Sequence, residues 1–508
     1  MGTVLISNSS LSWTDLSCLL ESGAHIRLSR DSKAAIQNSH NILKNILING
    51  QQVYGVNTGF GKLSNVSIKP KDLDLLQLNL VRSHASGVGK PLDLGVVRII
   101  MVLKLMTWAK GFSGIRPELS QLLLDMLNKD ILPIIPSKGS VGASGDLAPL
   151  AHMACAMIGE SEVNFKGKIV SSKLVLRKNS LKPTKLGAKE GLSLINGTQV
   201  STALAIRVLY ESKKILSLGD ISGAFSVEAS LSSLNVFNPK IHRLKKHKGQ
   251  LESATNVFNL LKSSEIVKSH ENCDRIQDPY SIRCLPHVHG SSRELFKNAE
   301  RIINNEINSV SDNPLIFPNA KVMNSGHFHA EPIAQAIDTL SIAISEIGAI
   351  SERRIHLLMK GVDDKVPLFG AMDPGLESGF MLAQVTAASL ASENKTLAHP
   401  ASIDSLSTSA GQEDFVSMAP WATQSCLQII DNVETILAIE ILVASNINYR
   451  FHKNFSSGIG LKLIIALLKR EKLLSLNDHI LTSEILAIKK LIKSGKIIQK
   501  AKQVINLV

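Results

Sequence analysis

Aromatic side chains are scarce in this chain of 508 residues, at 4% of the total. A core of this size must then be built from Leu, Ile, Val and Ala. Cysteine is scarcer still. Cys18, Cys155, Cys273, Cys284 and Cys426 are scattered, odd in number and form no CxxC pair. That excludes a disulfide framework and fits free thiols in a reducing, cytoplasmic setting. No apolar run reaches the roughly 18 residues of a membrane span, so no membrane partner is expected. The opening "MGTVLISNSSLSWTDLSCLLESG" lacks a basic stretch followed by an apolar core, and it does not complete a myristoylation pattern. Neither the GxGxxG fingerprint nor a P-loop is present, and "GASG" is not the GxSxG nucleophile elbow.

What the chain has is ordinary in amount: 44% apolar and 19% charged residues, with a net charge of +13. The basic clusters "HRLKKHKGQ" (242–250) and "KKLIKSGKIIQKAK" (489–502) have no interleaved aromatics. They read as solvated helix faces, and no nucleic-acid partner is expected. The pairs His287/His289 and His327/His329 lack the Cys or carboxylate pattern of a metal centre, so no metal is assigned.

Helical periodicity dominates after about residue 198. Ile337, Leu340, Ile344, Ile347, Ile355 and Leu358 recur every third or fourth residue, and so do Ile430, Val433, Leu437, Ile441 and Ala444. "GFMLAQVTAASLASENKTLAHP" is rich in small residues and ends at Pro400. The expected fold is mostly α. A glycine-rich N-terminal domain spans 1–198, and a long-helix bundle with a C-terminal helical region spans 199–508.

The stretch "GSVGASGDLAPLAHMA" (139–154) carries almost no side-chain bulk ahead of a helix. Its "ASG" permits one backbone reaction. The Gly145 nitrogen can attack the Ala143 carbonyl carbon, closing a five-membered ring around Ser144. Glycine admits the close approach. Loss of two waters then leaves an exocyclic methylidene on an imidazolone, a strong electrophile. Asp146 is expected to cap the following helix, with Pro149 in its first turn. A bare "ASG" on its own reads as a flexible turn, and only its surroundings reverse that reading.

Those surroundings are specific. "VYGVNTGFGKL", "LVRSHASGVG", "PIIPSKGSVGASGDLAPLAHMA", "EGLSLINGTQ", "QDPYSIRC", "NSVSDNPLI", "FHAEP", "SERRIHLLM", "SGFMLAQVTAASLASENKTLAHPASIDSL" and "SAGQEDFVSM" run in order from about 53 to 418. The chain closely resembles the aromatic amino acid ammonia-lyases, which build the 4-methylidene-imidazol-5-one (MIO) group from Ala-Ser-Gly. The resemblance implies MIO from Ala143, Ser144 and Gly145, with no external cofactor. It implies proton transfer by Tyr54 and Tyr280, and a hydrogen bond from Asn196 near the MIO carbonyl or substrate. Arg283 would grip the substrate carboxylate as a planar fork. His84 and Glu413 would surround the substrate ring, with Gln277 and Phe328 or His329 nearby. A homotetramer with a central bundle and active sites shared between subunits is also implied.

Ser83, His84 and Glu413 make the ring environment polar, which favours an imidazole over a phenyl ring. The expected reaction is conversion of L-histidine to trans-urocanate and ammonia. The alternative is a phenylalanine or tyrosine ammonia-lyase or 2,3-aminomutase; a non-enzymatic scaffold would have lost Tyr54, Ser144 or Tyr280. Whether the electrophile takes the amine or the ring is open. Some residues depart from the expected pattern. "LPHVHG" (285–290) stands for "QPQVMG", Phe415 for a common histidine and Lys138 for glutamine, and His327 for a smaller polar residue.

Overall fold

A computed structural model describes residues 2–21, 23–271 and 275–508, which leaves Cys273 outside them. Among the described residues the chain forms twenty α-helices and four small β-sheets of two or three strands. The periodic stripes face inward. Ile337, Leu340, Ile344, Ile347, Ile355 and Leu358 are buried in the helix Glu331–Met359. Ile430, Val433, Leu437, Ile441 and Ala444 are buried in the helix Ala419–Phe451. The helix Glu331–Met359 is by length and composition apolar enough to cross a membrane, and 67% of that apolar window is buried inside the protein.

Two compact units are each assembled from three segments. The first comprises Met1–Tyr210, Glu300–Asp338 and Pro400–Gln424. It holds all four sheets, among them a parallel pair, Thr3–Ile6 with His25–Leu28, whose inner residues alternate with exposed ones. At its centre runs the helix Leu94–Ala109, "LGVVRIIMVLKLMTWA", buried on nearly every side because it is apolar all round. Asp93 caps it, its carboxylate accepting from the Gly95 amide at 2.8 Å.

The second unit comprises Glu211–Ala299, Thr339–His399 and Ser425–Val508. Its interior contains buried charge. Arg354 forks onto Glu440 at 2.5 and 2.9 Å, both side chains being inaccessible, and Ser226 and Ser351 fill the remaining carboxylate positions. A second cluster joins Asp220 to His289, Arg293, Ser253 and Asn256. The small-residue helix Met381–Leu397 buries only Ala383, Ala387 and Asn394 and leaves Leu382 and Val385 more than half exposed. In the basic cluster at 242–250 the lysines are exposed.

Candidate functional site

The first unit encloses a cavity of about 670 Å³ whose walls include Tyr54, Phe60, Leu80, Ser83, His84, Ser144, Leu192, Asn196 and Glu413. Each polar group is set by its local backbone. Tyr54 sits in a turn pinned by Val53 and Val56, which pack into a core with Leu43, Ile46 and Ile316. Gly55 has φ +64°, and a Cβ there would press on Leu192 and Phe60. The Tyr54 hydroxyl accepts from the Gly61 amide at 3.0 Å, so the loop folds back on its own phenol. Gln77, wholly buried, ties this turn to the next wall. Its amide donates to the Gly55 carbonyl and its oxygen accepts from the Leu192 amide, both at 3.0 Å.

His84 ends the helix Leu73–His84, with Nδ1 2.8 Å from the Leu80 carbonyl oxygen and 3.1 Å from Ser83 Oγ. Ser144 lies between two glycines of left-handed backbone, Gly142 and Gly145. Gly142 has φ +67° and its carbonyl accepts from Ser417 Oγ at 3.0 Å. Gly145 has φ +75°, and a Cβ there would overlap the Gly197 carbonyl. That glycine therefore meets a steric need as well as a conformational one. Ala143 is buried beside it.

Glu413 closes the pocket from the third segment. Ser144 Oγ donates to its Oε1 at 2.6 Å; Thr408 Oγ1 donates to Oε2 at 3.0 Å, and Ser409 also donates there. Burial alone pushes the Glu413 carboxyl up. The three hydroxyls and nearby His84 outweigh it, and the pKa lies below the usual glutamate value. The group is a carboxylate at neutral pH. Asn196, extended just past the helix Glu190–Ile195, directs Nδ2 to the Ser144 carbonyl at 3.5 Å. Its Oδ1 is buried and has no hydrogen-bond partner.

Asp146 stands at the first position before the helix Leu147–Ile158, but its side chain makes no cap bond. The capping expectation is corrected by long-range partners. The carboxylate accepts from the Ser201 amide and hydroxyl, each at 2.8 Å, and from Ser140 Oγ at 3.2 Å. Burial raises its pKa against these bonds. The Asp146 amide donates to the Gly197 carbonyl at 2.8 Å, beside a bridge between Gly145 and Gly197.

The cavity thus gathers Tyr54, His84, Ser144, Asn196 and Glu413, with Ala143 and Gly145 flanking Ser144. Phe328 and His329 are in the same unit but do not line it. His329 stacks on Phe415, at 6.2 Å between ring centres, and its Nε2 lies 3.2 Å from the Phe415 carbonyl oxygen. Gln277, Tyr280 and Arg283 belong to the second unit. The Tyr280 side chain there is 69% exposed, and the Arg283 guanidinium lies 4.5 Å from its ring centre. The Arg283 Nε is buried without a partner. Phe60 and Leu192 lie within the quoted motifs but carried no role there, and Gln77 had no motif to mark it. Lys104 had a signal, being with Arg98 one of two cations in an otherwise apolar helix, and the one that is wholly buried.

A profile of the aromatic amino acid lyase family matches residues 11–467. A histidine ammonia-lyase from Vibrio cholerae is 46% identical over 444 residues, covering 87% of each chain. Among solved structures, a histidine ammonia-lyase from Trypanosoma cruzi superposes with a TM-score of 0.90 at 38% identity, covering 99% of this chain and 96% of that one. A tyrosine aminomutase from Streptomyces globisporus superposes with a TM-score of 0.92 at 30% identity over 100% of both. The fold is that of the ammonia-lyases and aminomutases.

Proposed function

Because the chain belongs to the aromatic amino acid lyase family, and so is a carbon–nitrogen lyase, we propose that it eliminates ammonia from L-histidine to give trans-urocanate. The observation that carries the substrate reading is the Glu413 carboxylate, held charged at the pocket wall beside Ser144 and His84. Such a group accepts a hydrogen bond from an imidazole N–H. Ring closure removes the Ser144 hydroxyl from Oε1, and a phenyl ring would leave that oxygen desolvated and unpaired, at about 1–3 kcal/mol.

Ala143, Ser144 and Gly145 suit the MIO group on structural grounds. Gly145 leaves no room for a side chain against Gly197, and Asn196, a pocket-wall residue, has a buried Oδ1 without a partner. Once formed, MIO supplies an electrophile at the former Ser144 β-carbon. The chain's own residues do the rest. Asn196 orients the Ser144 carbonyl. The Tyr54 phenol oxygen moves a proton at the substrate β-carbon, and the apolar walls Phe60, Leu80 and Leu192 exclude water from it. His84 and Glu413 fix the ring. Arg283 takes the carboxylate, Tyr280 assists proton transfer, and Gln277, Phe328 and His329 complete the surroundings of the substrate. These two segments, 277–283 and 328–329, reach the site through a homotetramer with active sites shared between subunits. The cytoplasm is the compartment of this reading, in keeping with the free thiols of Cys155 and Cys284.

The test is the rise in ultraviolet absorbance of a conjugated acrylate, measured with L-histidine, L-phenylalanine and L-tyrosine. L-Histidine is expected to be turned over far faster than the others. A preference for phenylalanine or tyrosine would replace this reading with its alternative.

A further inference from the structure

Behind the pocket lies a cation that no step above uses. Lys104 is wholly buried in the apolar helix Leu94–Ala109. Burying an ammonium is costly unless it is well paired. The neighbouring carboxylate, Asp312, is already bonded to Lys189 Nζ at 3.0 Å and to Ser193 Oγ at 2.9 Å. Lys104 Nζ instead donates to two backbone carbonyls, Ser193 at 3.1 Å and Asn196 at 2.7 Å. Burial draws its pKa down to about 7; Asp312 opposes this, Lys189 adds to it and Asp146 opposes it. An expensive cation placed on two carbonyls points to those carbonyls as its purpose.

The peptide it grips is the one that faces the Ala-Ser-Gly segment. Asn196 Nδ2 reaches the Ser144 carbonyl, Gly197 bridges to Gly145, and the Gly197 carbonyl accepts from the Asp146 amide. We propose that Lys104 is a positioning residue, whose ammonium fixes the Asn196–Gly197 peptide and thereby holds Ser144, Gly145 and Asp146 in register for ring closure. This rests on the reading of Ala143-Ser144-Gly145 as ring-forming. In that closure a bond forms between the Gly145 nitrogen and the Ala143 carbonyl carbon. The first water takes the Ala143 oxygen with the amide protons of Ser144 and Gly145. The second takes the Ser144 hydroxyl with its Cα proton.

Intact mass of the purified chain tests this directly. The unsubstituted protein should weigh two waters less than its translated sequence. Lys104→Met keeps the volume and removes the donors. It should keep the helical circular dichroism, while the fraction of chains lacking both waters falls several-fold. Among chains that do mature, kcat should fall by about 10- to 100-fold, as for a displaced catalytic group, with KM close to that of the unsubstituted protein because Lys104 is not in the pocket wall. If Lys104→Met does not fold, Lys104→Gln carries the test: one bond shorter and still a donor, it should mature to an intermediate extent. A folded Lys104→Met chain with the unsubstituted mass distribution and kcat would overturn the role given to Lys104. An unsubstituted chain of full mass would instead overturn the ring-forming reading, whatever the variants do.

Discussion

Ser144 and Glu413 share a hydrogen bond of 2.6 Å, and this pairing makes both residues separately testable. Ser144→Ala removes the hydroxyl that leaves as the second water. That variant should retain the mass of at least one water and lose turnover, read by intact mass and by the ultraviolet assay. Glu413→Gln keeps the shape and an acceptor oxygen but loses the charge, and hydrogen bonds to a charged group are about twice as strong as neutral ones. Its kcat/KM for L-histidine should fall about tenfold or more. Any residual phenylalanine turnover should fall less. Equal losses on both substrates would mean that Glu413 does not read the ring. The motif around Ser144 was visible in the sequence because it is local. Glu413 lies 269 positions away, and only the resemblance tied the two together.

At the scale of elements, periodicity was a sound guide. The stripes in Glu331–Met359 and Ala419–Phe451 are buried because a 3.6-residue repeat puts them on one face. Local rules failed where a polar group found a distant partner. Asp146 has the position of a cap, yet Ser201, 55 residues on, holds its carboxylate. The partners of Lys104 are 89 and 92 residues away. Glu228, in the helix Gln199–Ala229, belongs to the same class. It accepts from Ser264 Oγ at 2.7 Å and from the Gly458 amide at 2.7 Å. Burial raises its pKa to about 7 despite these bonds. In the folded chain it therefore holds its proton to higher pH than in the unfolded chain. Stability should fall as pH rises from about 4.5 to 7, by roughly 3 kcal/mol at most. Glu228→Gln keeps the acceptor and cannot ionise. Its Tm should stay flatter than that of the unsubstituted protein across this window. Thermal melts at pH 5 and pH 8 that shift equally in both proteins would show that Glu228 does not set the dependence.

For the whole molecule, the change of composition at residue 198 and the division into compact units are different things. Composition is read along the chain, whereas each compact unit is assembled from segments far apart in sequence. The candidate site shows the consequence. Tyr54, Ser144, Asn196 and Glu413 line one pocket of the first unit, while Tyr280 and Arg283 are in the second, where the Tyr280 ring is largely exposed. The helix Met381–Leu397 also leaves apolar Leu382 and Val385 uncovered, which suits burial against other subunits. In the proposed tetramer a site takes Tyr54 from one chain and Tyr280 from another. Tyr54→Phe and Tyr280→Phe chains, each prepared alone, should lose activity by about 10²–10⁴-fold while keeping their fold. Co-expressed, they should recover. With random mixing, about a quarter of the sites receive both native tyrosines. If both tyrosines of a site came from one chain, no mixture could restore it. Hybrid assemblies verified by affinity tags and still inactive would therefore exclude the shared site, whereas activity near that fraction is the result expected of it.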